Sequence, residues 1–581
     1  MIPDRNPPDE AVALLMILVC QGYGPAWRVS RTKWALTWEN VVMGYNFAGG
    51  GDGDQGWLLP PDPREWLPPG HLAWAVREQV AGMDLAPFVA WYRADGQGKK
   101  AYHPRLMVAL IMYCYCKGLR SSRAIEMATW DDVGARVLAG GLHPDHATVA
   151  RFVTRHEGPV KGLLVQSLVA CAAQGLVSVD VVAGDGTKMK ASASMAANAT
   201  AGQLETEIAG LEGLLAAEVQ AWFAQAQAAD AAEDALFGEG DNDGGPGAGG
   251  GAGTLARLAD KIVRRQQARA RLEAEAAARQ QQAQAGREAK ITAARERVAR
   301  AEQRVAREQA AAQARVADYA RRAAARAAAG RRSGPDGRVP VAPDGSAHVR
   351  QARRAAEQAR QRLAKALTAP AAAPAPDPPP KANITDPASR VMPAKKGGFD
   401  QHYNVQVLAG KHQVILAIAT HDSPADTGAL HRLLDQGRAS LDAAGIRDPI
   451  GAALFDAGYA SEDNFTTPSQ AQLYVAVTRE ARQTGRLRDG KHPQTMKASR
   501  QQMAARLDTP EGKTLYKQRA GIIEPVFAQL FNRLGRALHY RDAKTELELH
   551  LWAATHNLLK AIRAQARQAT TTPHHQLALA S

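Results

Sequence analysis

Cysteine is scarce. Four occur in 581 residues (Cys20, Cys114, Cys116 and Cys171), too few for a disulfide scaffold. Cys114 and Cys116 sit inside IMYCYCKG, a helical apolar run with no second pair to complete a zinc site. A reducing, cytoplasmic setting is expected. No apolar run reaches bilayer length, which argues against a membrane span. The run AVALLMILVC at 11–20 has roughly the length of a signal-peptide core. Asp4, Asp9 and Glu10 precede it, however, and no small-residue cleavage site follows. Negative charge is also in deficit. Lys and Arg number 72 against 58 Asp and Glu, a net charge of +14 that favours a polyanionic partner, nucleic acid first.

Hydrophobic residues make up 45% of the chain, enough for several cores at this length. Residues 1–42 read as a non-native or disordered extension, with Met43 as the natural start. Residues 43–101 read as a Pro-punctuated arm and a helix from about His71. Residues 102–175 are expected to be all helical. Pro104 suits a first helical position, Gly118 a helix end, and Ser121, Ser122 and Asp145 suit caps. Arg151, Thr154 and Arg155 on one of these short helices fit either a helix-turn-helix-like DNA reader or a plain bundle with solvated arginines.

Residues 200–380 change character to Ala, Arg, Gln and Glu. Helices are expected over 204–237 and 255–330, separated by a Gly/Asp break at 238–253. A loop at 330–347 and a Pro/Ala linker at 370–380 follow. Without a Leu/Ile/Val heptad seam this is expected to be an exposed hairpin, not a tight coiled coil. Its arginines could lie along DNA or face water.

The stretch LVSVDVVAGDGTKMKAS at 176–192 organises the remainder. At period two, Val177, Val179, Val181, Ala183 and Asp185 share one face, so a strand leads to a carboxylate between Gly184 and Gly186. Asp185 is then a metal ligand at a strand end or the start of an Asp-Gly turn. After 381 the pattern predicts strands at 402–408, 412–419, 450–456 and 473–477. A helix is expected at 426–443, another from 461, a mobile loop or weak helix at 480–514, and helix from 516 to 566. Asp456 ends a short apolar strand and Glu524 precedes Pro525 where a helix is expected to begin or kink. Asp386, Asp422 and Asp426 read as turn or cap residues, and His402 and His556 as structural.

Seven stretches then carry a resemblance: YHPRLMVALIMYCYCKGLRSSRAIE, HPDHATVARF, DGTKMKASAS, TDPASRVMPAKKGGFDQHYNVQ, FDAGYASEDNF, YKQRAGIIEPVFAQLFNRLG and HLWAATHNLLKA. In this order the chain resembles the DDE transposases of bacterial insertion sequences, from Met43 to Ala566 apart from the 200–380 insertion. The resemblance implies an α/β fold, an RNase H-like mixed five-stranded sheet with flanking helices. An all-helical DNA-binding domain (102–175) precedes it. The catalytic domain is split into 176–199 and 381–566 by the insertion, and 567–581 is a disordered tail.

The same resemblance implies Asp185, Asp456 and Glu524 as catalytic and metal-binding acids for two Mg²⁺, with Mn²⁺ able to substitute. Tyr516 and Arg519 would support the third acid and the DNA. Arg151, Arg155, Lys188, Lys517, Arg519 and Arg533 are the candidate DNA contacts. The implied partners are double-stranded DNA, as element ends and target, and a second copy of the chain in a synaptic homodimer at the nucleoid. One departure stands out. Family members usually carry Lys seven residues after the Glu, and here Phe531 stands there. Lys517, Arg533 or Arg536 would have to supply that charge, and the alternative is a catalytically impaired relic that only binds DNA.

Overall fold

The computed structural model describes residues 47–48, 66–95, 100–237, 251–330, 338–370, 376, 378–394, 397–477 and 497–571. The expected 1–42 extension and the start at Met43 lie outside them. A short parallel pair, β1 (Phe47–Ala48) and β2 (Ala101–Tyr102), accompanies α1 (Leu72–Ala81) and α2 (Ala86–Val89). Five helices follow: α3 (Pro104–Cys116), α4 (Ser122–Asp131), α5 (Val133–Leu138), α6 (His146–Arg155) and α7 (Glu157–Ala173). Their ends follow from local chemistry. Pro104 occupies the first turn of α3, where a missing N–H costs nothing. Ser121 accepts from the Ala124 N–H, and Asp145 from the Thr148 N–H at 2.7 Å. Gly118 lies at φ +86°, and a Cβ there would meet the Arg533 carbonyl oxygen at 2.6 Å. Glycine is therefore required both by the turn and by the close approach of another segment.

The sheet is mixed, with order β10-β9-β3-β7-β6 and β8 also paired to β7. Its strands are β3 (Val181–Lys190), β6 (Arg390–Pro393), β7 (Phe399–Gly410), β8 (Ile415–His421), β9 (Ala452–Phe455) and β10 (Gln472–Val475). β3 runs antiparallel to β7 from Val182↔Gly410 to Lys190↔His402, but parallel to β9 only from Val181↔Ala452 to Ala183↔Leu454. The central strand thus starts at Val181, not near Leu176. Val179 and Asp180 still offer their carbonyls to the Gly451 and Ala452 N–H groups. Asp185 consequently lies in mid-strand, not at a strand end. β6 is a sixth strand that the sequence pattern did not show.

Short β4 (Asn198–Thr200) and β5 (Lys381–Asn383) pair antiparallel and clasp the two ends of the insertion. Between them run α8 (Ala201–Phe237), α9 (Gly251–Ala328) and α10 (Ala347–Thr368). A small separate core of Ala199, Leu204, Ala268, Leu272 and Ala382 seals this base. The insertion is thus a long helical projection, as its composition suggests.

The chain continues after the insertion with α11 (Leu430–Ala443), α12 (Glu462–Thr466), α13 (Ala498–Asp508), α14 (Pro510–Leu534) and α15 (Lys544–Thr571). The expected loop or weak helix at 480–514 lies partly outside the described residues. From Ala498 it is regular helix, broken only where Thr509 caps α14 by accepting from the Gly512 N–H at 2.9 Å. Residues 567–571, expected in a disordered tail, continue α15. That helix packs against α3, α7 and β8, so the helical part and the sheet share one hydrophobic core in which Trp552 is wholly buried. No helix among the described residues is long and apolar enough to cross a membrane.

Candidate active site

β3 and β9 separate after Ala183↔Leu454. Two residues further along each strand come Asp185 and Asp456. That register sends both acids to the opening of the sheet, where the charges of both act on Arg519 and Tyr459. Gly184 permits the approach of the two segments, because a Cβ there would fall 2.2 Å from the Phe455 ring. Asp456 is buried and accepts from the Gly458 N–H at 2.8 Å. Asp185 Oδ1 accepts from the Gly186 N–H at 2.9 Å.

Arg519 on α14 reaches Asp185 Oδ2 at 3.0 Å, with both side chains mostly withdrawn from water. Burial works against the guanidinium charge. Asp185, Tyr516, Asp456 and Tyr459 outweigh it, so the Arg519 pKa lies above its usual value. One helical turn earlier, the Tyr516 hydroxyl donates to the Phe455 carbonyl at 3.2 Å, the peptide unit that carries Asp456. Of the two residues that the resemblance assigned to the third acid and the DNA, Arg519 thus contacts Asp185, and Tyr516 contacts the backbone just before Asp456.

The site holds a further carboxylate that sequence reasoning assigned to a cap. Asp426 does not cap α11, whose N-cap is Ala429 with no side-chain bond. Its Oδ1 accepts from Asn404 Nδ2 and Gln406 Nε2, each at 2.8 Å. A Cβ on Gly186 would lie 2.6 Å from that oxygen. A Cβ on Gly458 would lie 3.0 Å from Asp426 Oδ2 and 2.9 Å from Asp456 Oδ1, so the two carboxylates crowd the same point. Tyr459 donates its hydroxyl to Gln406 Oε1 and thereby fixes the amide that holds Asp426. Burial, followed by the charges of Asp426, Asp185 and Asp456, pushes the Tyr459 phenol well above its usual pKa and keeps it a donor. The only hint in the sequence was the pair of glycines opposite Asp426.

Glu524 stands apart from this group. It is exposed on α14, five residues beyond Arg519. Among the described residues no three His, Cys, Asp or Glu side chains close into a group able to hold a metal ion. The expectation that Pro525 puts Glu524 near a helix N-terminus is also corrected, because Pro525 lies inside one continuous helix.

The candidate DNA contacts are scattered. Lys188, Lys517 and Arg151 are exposed. Arg155 donates to the Trp91 carbonyl at 3.1 Å and lies over the Tyr92 ring. Arg533 is half-buried, and burial lowers its pKa despite Cys116 nearby. That position suits packing between the two halves better than a phosphate contact. Phe531 stacks with Phe527, and the Arg536 guanidinium sits 3.9 Å from the centre of its ring. A cation therefore does stand over the position where the family usually has Lys, supplied from five residues on.

Two known families match the chain. A Transposase domain (DUF772) matches residues 61–155, and a Transposase DDE domain matches residues 479–562. The first covers α1 to α6, and the second covers α13, α14 and most of α15 with the arginine and tyrosine described above. Together they support a DDE transposase of an insertion element. No curated protein and no solved structure matches it.

Proposed function

We propose that the chain cuts DNA at the ends of its insertion element and joins the freed 3′-hydroxyl to target DNA, acting as a synaptic homodimer at the nucleoid. The observation that carries this reading is the juxtaposition of Asp185 and Asp456 beyond the last β3–β9 pair, with Tyr516 and Arg519 on α14 facing them. The strand order, with β7 antiparallel to β3 and to β6 and β8 beyond it on one side and the parallel strands β9 and β10 on the other, supports an RNase H-like sheet.

The donor set fits hard divalent cations. Asp185 and Asp456 offer carboxylate oxygens from neighbouring segments, and Gly184, Gly186 and Gly458 let Phe455, Gln406 and Asp426 close in around them. Asp185 and Asp456 would hold Mg²⁺ or Mn²⁺, with Glu524 as the third acid by family resemblance and Asp426 close by. Such ions supply charge stabilisation at the scissile phosphate and lower the pKa of the attacking water or hydroxyl.

The chain's own side chains prepare this site. Arg519 offsets the charge of Asp185, since two neighbouring carboxylates otherwise repel. Tyr516 holds the end of β9 and so sets the position of Asp456. Tyr459, Gln406 and Asn404 form a buried chain that orients Asp426. Exposed Lys188 and Lys517 are placed to meet DNA phosphates, and α6 offers Arg151 to a duplex.

Nicking of a supercoiled plasmid bearing the element's ends tests the proposal. The wild-type chain should nick in Mg²⁺ or Mn²⁺, and Asp456→Ala and Asp185→Ala should not. Binding of the ends without any metal-dependent nicking by the wild type would leave only a DNA-binding relic.

A further inference from the structure

The insertion's charge is divided along its length. Residues 251–368 hold 27 Lys and Arg against 11 Asp and Glu, an excess larger than the net +14 of the whole chain. The neighbouring α8 holds seven acids and no Lys or Arg.

Near the clasp the arginines have structural partners. Arg265 pairs with Glu207 at 2.6 Å, Arg269 with Glu273 at 2.8 Å, and Arg271 donates to the Ser389 carbonyl at 2.8 Å. Further out along α9 this changes. Arg297, Arg300, Arg304, Arg307, Arg315 and Arg322 are all exposed. At ~100° per residue they fall within about 80° of the helix circumference. The buried Ala294 and Ala312, which face inward, lie on the adjacent sector. Arg300 pairs with Glu296 at 3.5 Å, and Arg322 with Asp318 at 2.9 Å. The other four make no ion pair or hydrogen bond among the described residues.

Seven-residue steps (297, 304; 300, 307; 315, 322) keep a side chain on one face of a straight helix to within ~20°. The stripe is therefore a feature of the spacing, beyond a generally basic composition. It is about 38 Å long at 1.5 Å per residue, close to one turn of a DNA duplex at ~34 Å. A rod with exposed guanidinium groups on one side has the length and charge to lie against a duplex backbone.

We infer that this arginine stripe on α9 is a docking surface for the phosphate backbone of double-stranded DNA, outside the cleavage site and independent of base sequence. The inference rests on the reading that the chain acts on DNA. Each neutralised phosphate contributes about 0.9 to the slope of log affinity against log salt, so up to about four contacts along the stripe are measurable.

The test uses the full chain and a random-sequence 30-base-pair duplex, with fluorescence anisotropy over a range of KCl concentrations. A variant with Arg297, Arg300, Arg304, Arg307 and Arg315 all changed to Gln keeps good helix formers in place. It should lose roughly 3 to 4 from the salt slope and on the order of 100-fold in affinity at low salt. The same five positions changed to Lys should restore most of the slope, because charge is retained. An unchanged slope in the Gln variant, with helicity intact by circular dichroism, overturns the inference alone. An equal loss in the Lys variant also overturns it, since altered helix packing would then be the cause. A wild-type chain that binds no duplex overturns both this inference and the functional reading.

Discussion

Gly184→Ala is the smallest change that should disable the site. The new Cβ would lie 2.2 Å from Phe455 Cε1 and within 2.9 Å of two more ring carbons. Ordinary carbon contacts are ~3.5–4.0 Å, so strand or ring must yield by about 1.5 Å. The ring has little room, being wholly buried with its centroid 4.8 Å from that of Tyr459. Overpacking of this kind costs about 1–3 kcal/mol, readable as a lower urea midpoint at constant slope. Asp456 follows Phe455 directly, and displacement by ~1 Å of a reacting group costs on the order of 100-fold in rate. Nicking should therefore fall much further than the remaining folded fraction explains. Phe455→Leu in the same chain removes the clashing ring edge, so the double variant should be less destabilised than the two singles added together, by about 1 kcal/mol. Gly286→Ala, with nothing within 4 Å of its new Cβ, is the control and should leave nicking unchanged. Wild-type stability and nicking in Gly184→Ala, or strict additivity with Phe455→Leu, would refute the packing argument.

Three further outcomes follow from other parts of the fold. Asp426→Asn should keep its bonds from Asn404 or Gln406 largely intact, leave stability within about 1 kcal/mol, and slow nicking ~10–100-fold; wild-type nicking would return Asp426 to a structural role. Glu548→Ala should cost about 3–5 kcal/mol in urea unfolding, because the fully buried carboxylate accepts from the His539 and Tyr540 N–H groups at 2.7 and 2.9 Å and pairs with Arg120 at 3.0 Å; a loss under 1 kcal/mol would contradict this. Burial, with Asp386 beside it, raises the Asp542 pKa from 3.8 to about 6. A raised folded-state pKa contributes stability below pH 3.8 that is lost as pH rises through 6. Asp542→Asn should flatten the stability profile across that window, as the left-handed φ of +52° suits Asn as well; an unaltered profile would assign the dependence to another group.

The periodic parts of the chain were legible because their burial is local in origin. Pro104, Ser121 and Asp145 mark helix starts by their own backbone and side-chain chemistry, and no distant residue is needed to read them. The acids Asp185 and Asp456 were legible for a similar reason, each standing at the polar end of a short apolar run. Asp426 was not. A carboxylate between a strand and a helix has a local use as a cap, and only the approach of Asn404, Gln406, Gly186 and Gly458 from three other segments shows its actual surroundings. The start of β3 was misplaced because Val177 and Val179 continue the apolar alternation into a segment for which β9 provides only a last pair of bonds.

Pro525 was read as a boundary for a sound reason, since proline removes a helical hydrogen bond and crowds the carbonyl four residues earlier. That carbonyl belongs to Gly521, and Gln413 Nε2 donates to it at 3.3 Å from the β7–β8 turn. Gln413 is held in turn. Its Oε1 accepts from Gln529 at 3.0 Å and from Lys560 at 3.1 Å, and its backbone carbonyl meets His556 Nε2 at 2.8 Å. Burial pushes the His556 pKa down to about 3, so that ring stays neutral and donates to the carbonyl. A tertiary contact more than a hundred residues away thus replaces the bond that proline removed and lets α14 run unbroken. The consequence reaches the site. Along one rigid helix Glu524 stands about 140° around the axis from Arg519, so a side chain facing Asp185 at 519 and one facing the same point at 524 are incompatible. If the three acids share their ions, α14 must bend or turn between them. The segment from Gly521 to Pro525 is where it does so at least cost, because proline has already removed one of the backbone hydrogen bonds there and only the Gln413 side chain bridges the gap.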